Sequence, residues 1–431
     1  MNRPSTITFF GNFGTQNLGN ECTLRAIIQN TRKHLPMATV NCVCAGPEET
    51  AKTHGLPAFQ ISYRFAKAAR SPSGSDSAVR RLVRRLLIRI PLEIGEWLRA
   101  LRTLRGTDML VMTGTGMLGD FGISPLGLHY EILKWSIVAR LRGCKLLFVS
   151  VGAGPIRHPL SRWIVKAALS LADYRSYRDQ FSYEYLEFIG FDASRDRVYP
   201  DLAFSLLSSE TPVTARGKRD GDGRVIGLGL MEYYGQHRTL QEGERIYRRY
   251  IERVADFAAW LIEQGHSVRL LVGDLAYDRR VKGDLLRLLE ESGSHFDPAR
   301  IIDEPLRSPE GLCDQLAKTD MVVATRFHNV LLALMLGKPV IALSYHEKLR
   351  SLMAGVGAAE YSVEAEELDV PALIERFRRL SENAEAFTAS IKQRTDEYRR
   401  SLDEQYAHMF GDLLGSQSGA AVDDRYAARV A

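Results

Sequence analysis

Residues Met321–Lys348 read MVVATRFHNVLLALMLGKPVIALSYHEK. An apolar run leads directly into Arg326 and His328, a helix-like stretch follows, and Gly337-Lys338-Pro339 separates it from a second apolar run. This strand–helix–strand order is typical of a parallel sheet, in which ligands bind at the carboxyl ends of strands and at the amino termini of helices. The segment therefore predicts a cation and a titratable imidazole at the position where an anionic ligand would bind.

The same alternation of strand-like and helix-like stretches extends over the whole chain. A polar, glycine-rich stretch, SSETPVTARGKRDGDGR, divides it into two halves. We therefore predict an α/β protein of two Rossmann-like, doubly wound domains that face each other across a cleft. The first domain would span residues 1–208, the linker 209–224, and the second domain, with a C-terminal helix, 225–414. Residues 415–431 are predicted to be a disordered tail.

The composition is that of a globular protein. Hydrophobic residues make up 45% of the 431 residues and charged residues 25%. The longest apolar run, Val330–Leu343, is interrupted by Lys338 and Pro339 and is too short to span a bilayer. The amino terminus lacks the pattern of a secretory signal. The five cysteines are scattered, and we expect them to be reduced and buried, which indicates a cytoplasmic protein.

The net charge of +5 is concentrated in one insertion of the first domain. Between Arg64 and Arg105 there are eleven Lys/Arg and three Asp/Glu, which gives +8 and leaves −3 for the rest of the chain. From Ala78 this segment predicts a basic amphipathic helix, with apolar residues at every fourth position: Leu82, Leu86, Ile90 and Ile94. It is either a solvated helix or a surface for an anionic membrane or lipid-linked glycan, so a peripheral position at the inner membrane face is a further expectation.

A loop rich in glycine and asparagine, GNFGTQNLGNECTLRAI, follows the first strand. Its exposed N–H groups favour an anion or a substrate, although any tight turn between strand and helix uses the same residues. Asn17 and Asn20 are the best candidates for contact with substrate hydroxyls, and Asn20 also for capping the next helix. Asn12 and Glu21 complete the candidate set in this loop.

A second glycine-rich loop, TGTGMLGDFG, follows another strand, and Gly114 and Gly116 would let a ligand approach the backbone. We do not expect this loop to match G-x-G-x-x-G, and the neighbouring strand ends in Cys44-Ala45-Gly46 without an acidic residue for a ribose, so we reject a dinucleotide fingerprint. Strand ends also lack clusters of aspartates. We therefore expect no metal and no cofactor.

Arg178 and Asp179 lie where a strand gives way to a helix, followed by Ser182. Asp179 is expected to cap the helix, and the Arg178 guanidinium to bind a carboxylate or phosphate. His328 is either an ordinary first-turn helix residue or, beside Arg326, a catalytic group. Lys348 either binds a phosphate or is simply solvated.

Together these segments resemble the polysaccharide pyruvyl transferase family. The resemblance covers about residues 6–360 and rests on an ordered set of motifs: GNFGTQNLGNE, GTGMLGD, Arg178-Asp179 with Ser182, Pro200-Asp201, and Arg326-Phe327-His328 with Ala333, Gly337, Pro339 and Ile341, then Tyr345 and Lys348. It implies a glycosyltransferase-B-like fold and transfer of pyruvate from phosphoenolpyruvate to two sugar hydroxyls as a cyclic ketal. Thr113 and Thr115 replace glycines of the family pattern, and Asn20 stands where many members carry Asp.

The resemblance also implies residue roles. Arg178 and Arg326, with Phe327 and Lys348, would bind the donor, and His328 would be the catalytic acid/base. Histidine suits this chemistry because its ordinary pKa lies near neutrality. The implied partners are phosphoenolpyruvate and a glycan or lipid-linked saccharide acceptor, with no nucleic acid.

Two other functions are weighed against this one. A nucleotide-sugar glycosyltransferase of the same architecture would need a carboxylate for the ribose, and Glu347 and Glu360 are the candidates. A non-enzymatic, membrane-associated scaffold of glycan assembly is motivated by the basic segment.

Overall fold

A computed structural model describes residues 4–62, 78–119, 123–206, 223–235, 239–275, 278–291 and 297–415, with the backbone alone for 78–89. The start of the basic insertion, most of the predicted linker and the predicted tail lie outside the described residues. The five cysteines are free thiols; four are buried and Cys313 is partly buried. Within the described residues, no helix is long and apolar enough to cross a membrane.

The first half of the chain forms a parallel sheet. Its strands are β1 Thr6–Gly11, β2 Thr39–Cys44, β3 Ala58–Gln60, β4 Met109–Thr113, β5 Lys145–Val151, β6 Tyr174–Tyr177 and β7 Arg197–Val198. Their order is β3-β2-β1-β4-β5-β6-β7. The central strands are apolar runs and are buried on both faces, as a sheet covered by helices on both sides requires.

The helices of this half are α1 Leu18–His34, α2 Pro47–His54, α3 Ala78–Thr103, α4 Tyr130–Leu141, α5 Pro159–Ser170 and α6 Gln180–Phe188. One turn of π-helix, Pro125–His129, precedes α4, and a 3-10 turn, Leu202–Ser205, follows β7. The basic amphipathic helix predicted from Ala78 begins at that residue.

The second half repeats this arrangement. Its strands are β8 Val225–Leu230, β9 Ser267–Val272, β10 Ile301–Ile302, β11 Met321–Ala324, β12 Val340–Ser344 and β13 Ser362–Glu364. They are all parallel, in the order β10-β9-β8-β11-β12-β13. In both sheets the order in which strands are added therefore reverses beside the first strand, between β1 and β4 and between β8 and β11. Such switch points are the usual ligand sites of doubly wound sheets.

The helices of the second half are α7 Leu240–Glu263, α8 Arg279–Glu291, α9 Pro309–Ala317, α10 Phe327–Met335, α11 Glu347–Gly355, α12 Val370–Glu382 and α13 Ala384–Ala407. Short turns follow, a π-helix at His408–Asp412 and α14 at Leu413–Gly415. The two 3-10 turns are Pro298–Arg300 and Ala359–Tyr361.

The C-terminal helix α13 joins the two halves. It was predicted as the end of the second domain, and its last turns pack on the first. Gln405 donates to Ser176 Oγ at 2.6 Å and accepts from Ser150 Oγ at 3.1 Å, and Asp403 pairs with Lys33 at 3.0 Å. These contacts fix the two sheets relative to each other on one side of the cleft.

A second contact closes the other side of the cleft. Asn17, in the loop after β1, forms an antiparallel bridge with Asp274, in the loop after β9. Leu18 N donates to Gly273 O, and Leu275 N to Gln16 O, both at 3.1 Å. The loops that carry the predicted site are thus held face to face by backbone hydrogen bonds.

Candidate active site

The carboxyl edges of the two sheets meet in one cleft, where most of the predicted site residues come together. A cavity of about 100 Å³ lies between the loops after β1 and β4 and the amino terminus of α10. Its lining includes residues of both domains: Asn17, Asn20, Gly116, Arg178, Arg326, Phe327, His328, Tyr345 and Lys348. The juxtaposition of Arg178 with His328, which sequence alone does not establish, is therefore observed.

Arg326 is held from behind by a buried carboxylate. Its Nε donates to Asp278 Oδ2 at 2.9 Å and its Nη2 to Oδ1. Asp278 also accepts the backbone N–H groups of Asp274 and Glu232. Burial lowers the pKa of Arg326, but the hydrogen bonds and charge of Asp278 outweigh it, so the pKa is raised overall. One edge of the guanidinium is thus fixed by Asp278, and its other edge remains for a ligand.

Arg178 reaches across from the first domain to the second. Its guanidinium lies over the ring of Phe327, 4.8 Å from the centroid, which is a cation–π contact. Asp179 and Asp201 accept from it at 3.3 and 3.4 Å. Gly152 allows this position, because a Cβ there would lie 2.7 Å from the guanidinium. Asp179 also caps α6 by accepting from Ser182 N at 2.7 Å, as predicted.

Lys348 differs from both arginines. Among the ion pairs of the described residues, none joins its ammonium to a carboxylate, and it lines all three cavities of the cleft. Its Nζ lies 5.1 Å from the ring centroid of Tyr345. Burial acts to raise the pKa of Tyr345, but the charges of Lys348 and Arg326 outweigh it and lower that pKa. The lysine therefore contributes positive charge that no nearby acid balances.

His328 lies in the first turn of α10, against the other domain. A Cβ on Gly19 would stand 1.8 Å from its Nδ1, so only glycine permits this contact. Its Nε2 is shielded from solvent and has no hydrogen-bond partner among the described residues. Burial, and then the charges of Arg178 and Lys348, lower the pKa of His328 to about 3. The expectation of a pKa near neutrality was therefore wrong, because the imidazole is buried and lies beside cations.

The asparagine-rich loop has mostly structural contacts. Asn17, not Asn20, caps α1: its side chain accepts from Asn20 N at 3.2 Å and donates to Asp274 at 3.0 Å. The prediction of Asn20 as the cap was wrong because the helix begins one turn earlier. Asn20 donates to Asn12 O at 3.0 Å, and it lines the cleft. Asn12 is exposed.

Glu21 holds this loop from behind. It accepts from Gly14 N at 2.7 Å and pairs with the ring of His54 at 2.9 Å. Its side chain is almost fully buried, with 9% exposed, and the residue is absent from the lining of the described cavities. Glu21 is therefore a residue that holds the loop after β1 in place and does not line these cavities.

The second glycine-rich loop lines the cleft through Gly116, where a Cβ would lie 3.6 Å from Arg178. Gly114 lies deeper, where a Cβ would be 2.7 Å from Ser150 O. Gly114, Gly116 and Gly119 do have the G-x-G-x-x-G spacing. The next described helical turn begins only at Pro125, so the helix start that the dinucleotide fingerprint requires does not follow this loop directly.

The sequence analysis missed several residues of the cleft. Asp278 and Gly152, which position the arginines, carry no local signal. His346 caps α11 by accepting from Lys348 N at 3.1 Å, and burial and then Lys348 lower its pKa to about 3. The only signal for it was its place directly after a strand end, beside Tyr345.

Two further cavities adjoin the cleft. One, of about 190 Å³, lies beside the loops after β4 and β5, and its lining includes Gly119, Gly154, Ser182 and His346. The other, of about 460 Å³, lies between α6, α11 and α13 and is lined partly by aromatic rings, those of Tyr199, Phe204, Phe327 and Tyr398. Both open onto Arg178 and Lys348, so a second ligand could meet the first at these cations.

The fold is similar to solved two-domain enzymes of the glycosyltransferase-B type. A putative UDP-N-acetylglucosamine 2-epimerase from Listeria monocytogenes is 13% identical, with a TM-score of 0.59 over 95% of this chain and 97% of its own. The UDP-GlcNAc 2-epimerase from Neisseria meningitidis bound to UDP-GlcNAc is 14% identical, with a TM-score of 0.55 over 90% and 94%. Alr3699/HepE from Anabaena, in complex with UDP and glucose, is 15% identical, with a TM-score of 0.54 over 93% and 99%.

At these identities the likeness shows the fold alone, and it confirms the predicted pair of Rossmann-like domains. No curated protein matches the chain by sequence. A family model, described as polysaccharide pyruvyl transferase, matches residues 17–347, which include the loop after β4 and the motif around His328. The chain therefore belongs to the polysaccharide pyruvyl transferase family.

Proposed function

We propose that this protein transfers the pyruvyl group of phosphoenolpyruvate to two hydroxyls of a sugar in a cell-surface glycan precursor, forming a cyclic ketal and releasing phosphate. The observation that carries the proposal is the unpartnered Nε2 of His328, which is buried among the cations Arg178, Arg326 and Lys348. A buried polar atom without a partner is costly unless a ligand satisfies it. A small trianion beside an acid is the ligand that such a site suits.

The donor would bind by charge. Because Asp278 and Asp201 already partner the two arginines, these side chains act mainly as rigid donors whose outer edges face the cleft. Lys348 supplies the charge that no carboxylate offsets. We assign the phosphate of the donor to Lys348 and Arg178, which line the same cavities, and its carboxylate to Arg326. Phe327 keeps Arg178 in place through its ring.

His328 would act as the acid once the donor is bound. Burial, and then the charges of Arg178 and Lys348, keep the imidazole neutral. A donor with three negative charges would offset the charges of these cations and raise the pKa of His328, so we expect the imidazole to gain a proton when phosphoenolpyruvate binds. Protonation of His328 would thus be coupled to donor binding, and the imidazole would stay neutral without the donor.

Atoms and charge are conserved in the proposed reaction. His328 gives its proton to the methylene carbon of the donor, which becomes a methyl group and leaves C2 electrophilic. One sugar hydroxyl adds to C2, and its proton returns to the imidazole. The C2–O bond to phosphate breaks with its electron pair, which the cations stabilise. The second hydroxyl adds to C2, and its proton leaves with the phosphate. No covalent bond to the protein is needed.

The acceptor would enter from one of the adjoining cavities. The cavity beside Gly119 and Gly154 lets a ligand approach the backbone closely, because glycines line it. Ser182 lines this cavity, Asn20 lines the adjoining cavity of about 100 Å³, and both side chains are suitable partners for sugar hydroxyls.

The alternative function is a nucleotide-sugar glycosyltransferase, which the fold permits because similar structures were solved with UDP. The two glutamates expected to bind the ribose are both paired with arginines. Glu347 is paired with Arg350 at 2.6 Å, and Glu360 is paired with Arg379. Neither glutamate is among the lining residues of the described cleft cavities.

Calorimetry tests the proposal. Phosphoenolpyruvate and a panel of UDP-sugars would be titrated into the wild-type protein, into Lys348→Met, and into Lys392→Met as an exposed control. We expect phosphoenolpyruvate to bind, Lys348→Met to weaken it and Lys392→Met to leave it unchanged. Phosphate release that requires a saccharide diol would then establish the reaction. Binding of a UDP-sugar but not of phosphoenolpyruvate would overturn the proposal.

A further inference from the structure

Helix α3 presents an apolar stripe to solvent. Ile90, Ile94 and Leu98 recur at every fourth residue and are 54%, 55% and 47% exposed. The adjacent face of the helix packs inward instead: Glu93 accepts from Tyr130 Oη at 2.6 Å, and Trp97 donates to the same oxygen at 3.1 Å. The helix is therefore anchored by one face, while the apolar face with Ile90, Ile94 and Leu98 is exposed. Exposed apolar surface of this kind often marks an interaction site.

Three more exposed apolar side chains lie on neighbouring elements. They are Leu126, in the π-helical turn before α4, and Leu160 and Trp163, in the first turns of α5. The turn contacts both α4 and α5, and α3 contacts α4. We call these three residues, together with Ile90, Ile94 and Leu98, the cleft-edge apolar surface.

The position of this surface follows from the topology. Helices α4 and α5 follow β4 and β5, so their amino termini lie at the carboxyl edge of the sheet, which is the cleft edge. The ring of His129, in the same turn as Leu126, contacts Gly119 O at 3.0 Å, and Gly119 lines the 190 Å³ cavity. The turn that carries Leu126 is thus joined to a residue that lines a cavity of the cleft.

The charge of the segment indicates the occupant. The segment 64–105 carries eleven Lys/Arg and three Asp/Glu, whereas the rest of the chain has a net negative charge. Upstream of Ile90 the sequence continues the apolar spacing at Leu82 and Leu86, among arginines. Apolar residues at helical spacing with arginines between them in the sequence, and an exposed tryptophan on α5 of the same domain, are typical of elements that lie in the interface of anionic bilayers.

We propose that the cleft-edge apolar surface and the basic helix α3 bind the surface of an anionic lipid bilayer, with the mouth of the cleft turned toward the membrane. The apolar side chains would enter the boundary between head groups and acyl chains, and the arginines would meet the lipid phosphates. If the proposed function also holds, this orientation brings a saccharide carried on a membrane lipid to the cavity beside Gly119.

Vesicle flotation of the full-length protein tests the inference. The vesicles are phosphatidylcholine alone and an equimolar mixture with phosphatidylglycerol. The test variant combines Ile90→Ser, Ile94→Ser and Trp163→Ser. The control combines Met37→Ser and Phe188→Ser, which remove two apolar side chains of 80% and 81% exposure outside this surface. Titration with phosphoenolpyruvate, together with circular dichroism, separates a membrane defect from a folding or donor-binding defect.

We expect the wild type and the control to float with the anionic vesicles, with less binding to phosphatidylcholine and at high salt. The test variant should bind at least roughly tenfold more weakly, because it removes the apolar contacts, and should keep its donor affinity. Equal binding of wild type and test variant, or no flotation with anionic vesicles, would overturn the inference. So would a wild-type dimer in sedimentation that the test variant dissociates, because the surface would then belong to a second copy of the chain.

Discussion

Acidification should destabilise this protein partly through His328. The folded protein holds the pKa of this imidazole at about 3, below its ordinary value of 6.5. The unfolded chain therefore takes up the proton first as the pH falls, and the free energy of unfolding decreases between these two pH values. Because pH 5 lies about 1.5 pH units below the unfolded pKa of 6.5, the free energy of unfolding should fall by about 2 kcal/mol through His328 at that pH.

The test compares urea unfolding at pH 7 and pH 5 for the wild type and His328→Gln. Because His346 has a pKa lowered to about 3 as well, the wild type should lose up to about 4 kcal/mol from the two groups. The variant should lose about half of that, whereas His408→Gln, at an exposed position, should behave as the wild type. Saturating phosphoenolpyruvate should reduce the loss in the wild type, since the negative charge of a bound donor would raise the pKa of His328.

The same loss of stability in His328→Gln as in the wild type, with equal urea dependence, would refute the reasoning. It would mean that the imidazole is already protonated at pH 5 in the folded protein, or that the cations do not act on it. The proposed coupling of His328 protonation to donor binding would then lose its basis.

Three other changes test the contacts of the cleft. Lys348→Met should weaken phosphoenolpyruvate binding by about thirtyfold in calorimetry, because it removes a charge-assisted contact, and unchanged affinity would contradict its role. Asp278→Ala should lower the free energy of unfolding by about 3 kcal/mol in urea titrations, because it leaves a buried guanidinium without its partner; a stability equal to the wild type would exclude that reasoning. Gly19→Ala should reduce turnover about a hundredfold by pushing the two domains apart at the imidazole, while Gly283→Ala, where a Cβ meets nothing, should not.

The sequence predicted the fold through local patterns. Runs such as Leu110–Met112 and Val322–Ala324 are apolar throughout, and in a parallel sheet covered on both faces such runs become buried strands. The two apolar runs that were predicted before Arg326 and after Gly337-Lys338-Pro339 are β11 and β12, because a strand is set largely by its own local pattern. The first turn of α1 was missed, since its cap depends on the Asn17 side chain and not on the apolar pattern.

The positioning residues of the site could not be predicted in this way. Asp278 meets Arg326, and Gly19 meets His328, although each pair is far apart in sequence. Nothing in the residues around Asp278 distinguishes it from the other acids of the chain. It meets Arg326 because β9 and β11 lie on either side of β8 in the sheet.

By itself, the sequence determined two parallel α/β halves and the chemical types at their strand ends: guanidinium groups, an imidazole and glycine-rich loops. Only the tertiary structure decided which cation has no carboxylate partner among the described residues, which asparagine caps α1 and which protonation state His328 holds. The physical reason is that secondary structure follows from residues that are neighbours in the chain. Desolvation and Coulomb interaction depend on distance through space, which the approach of the two domains sets.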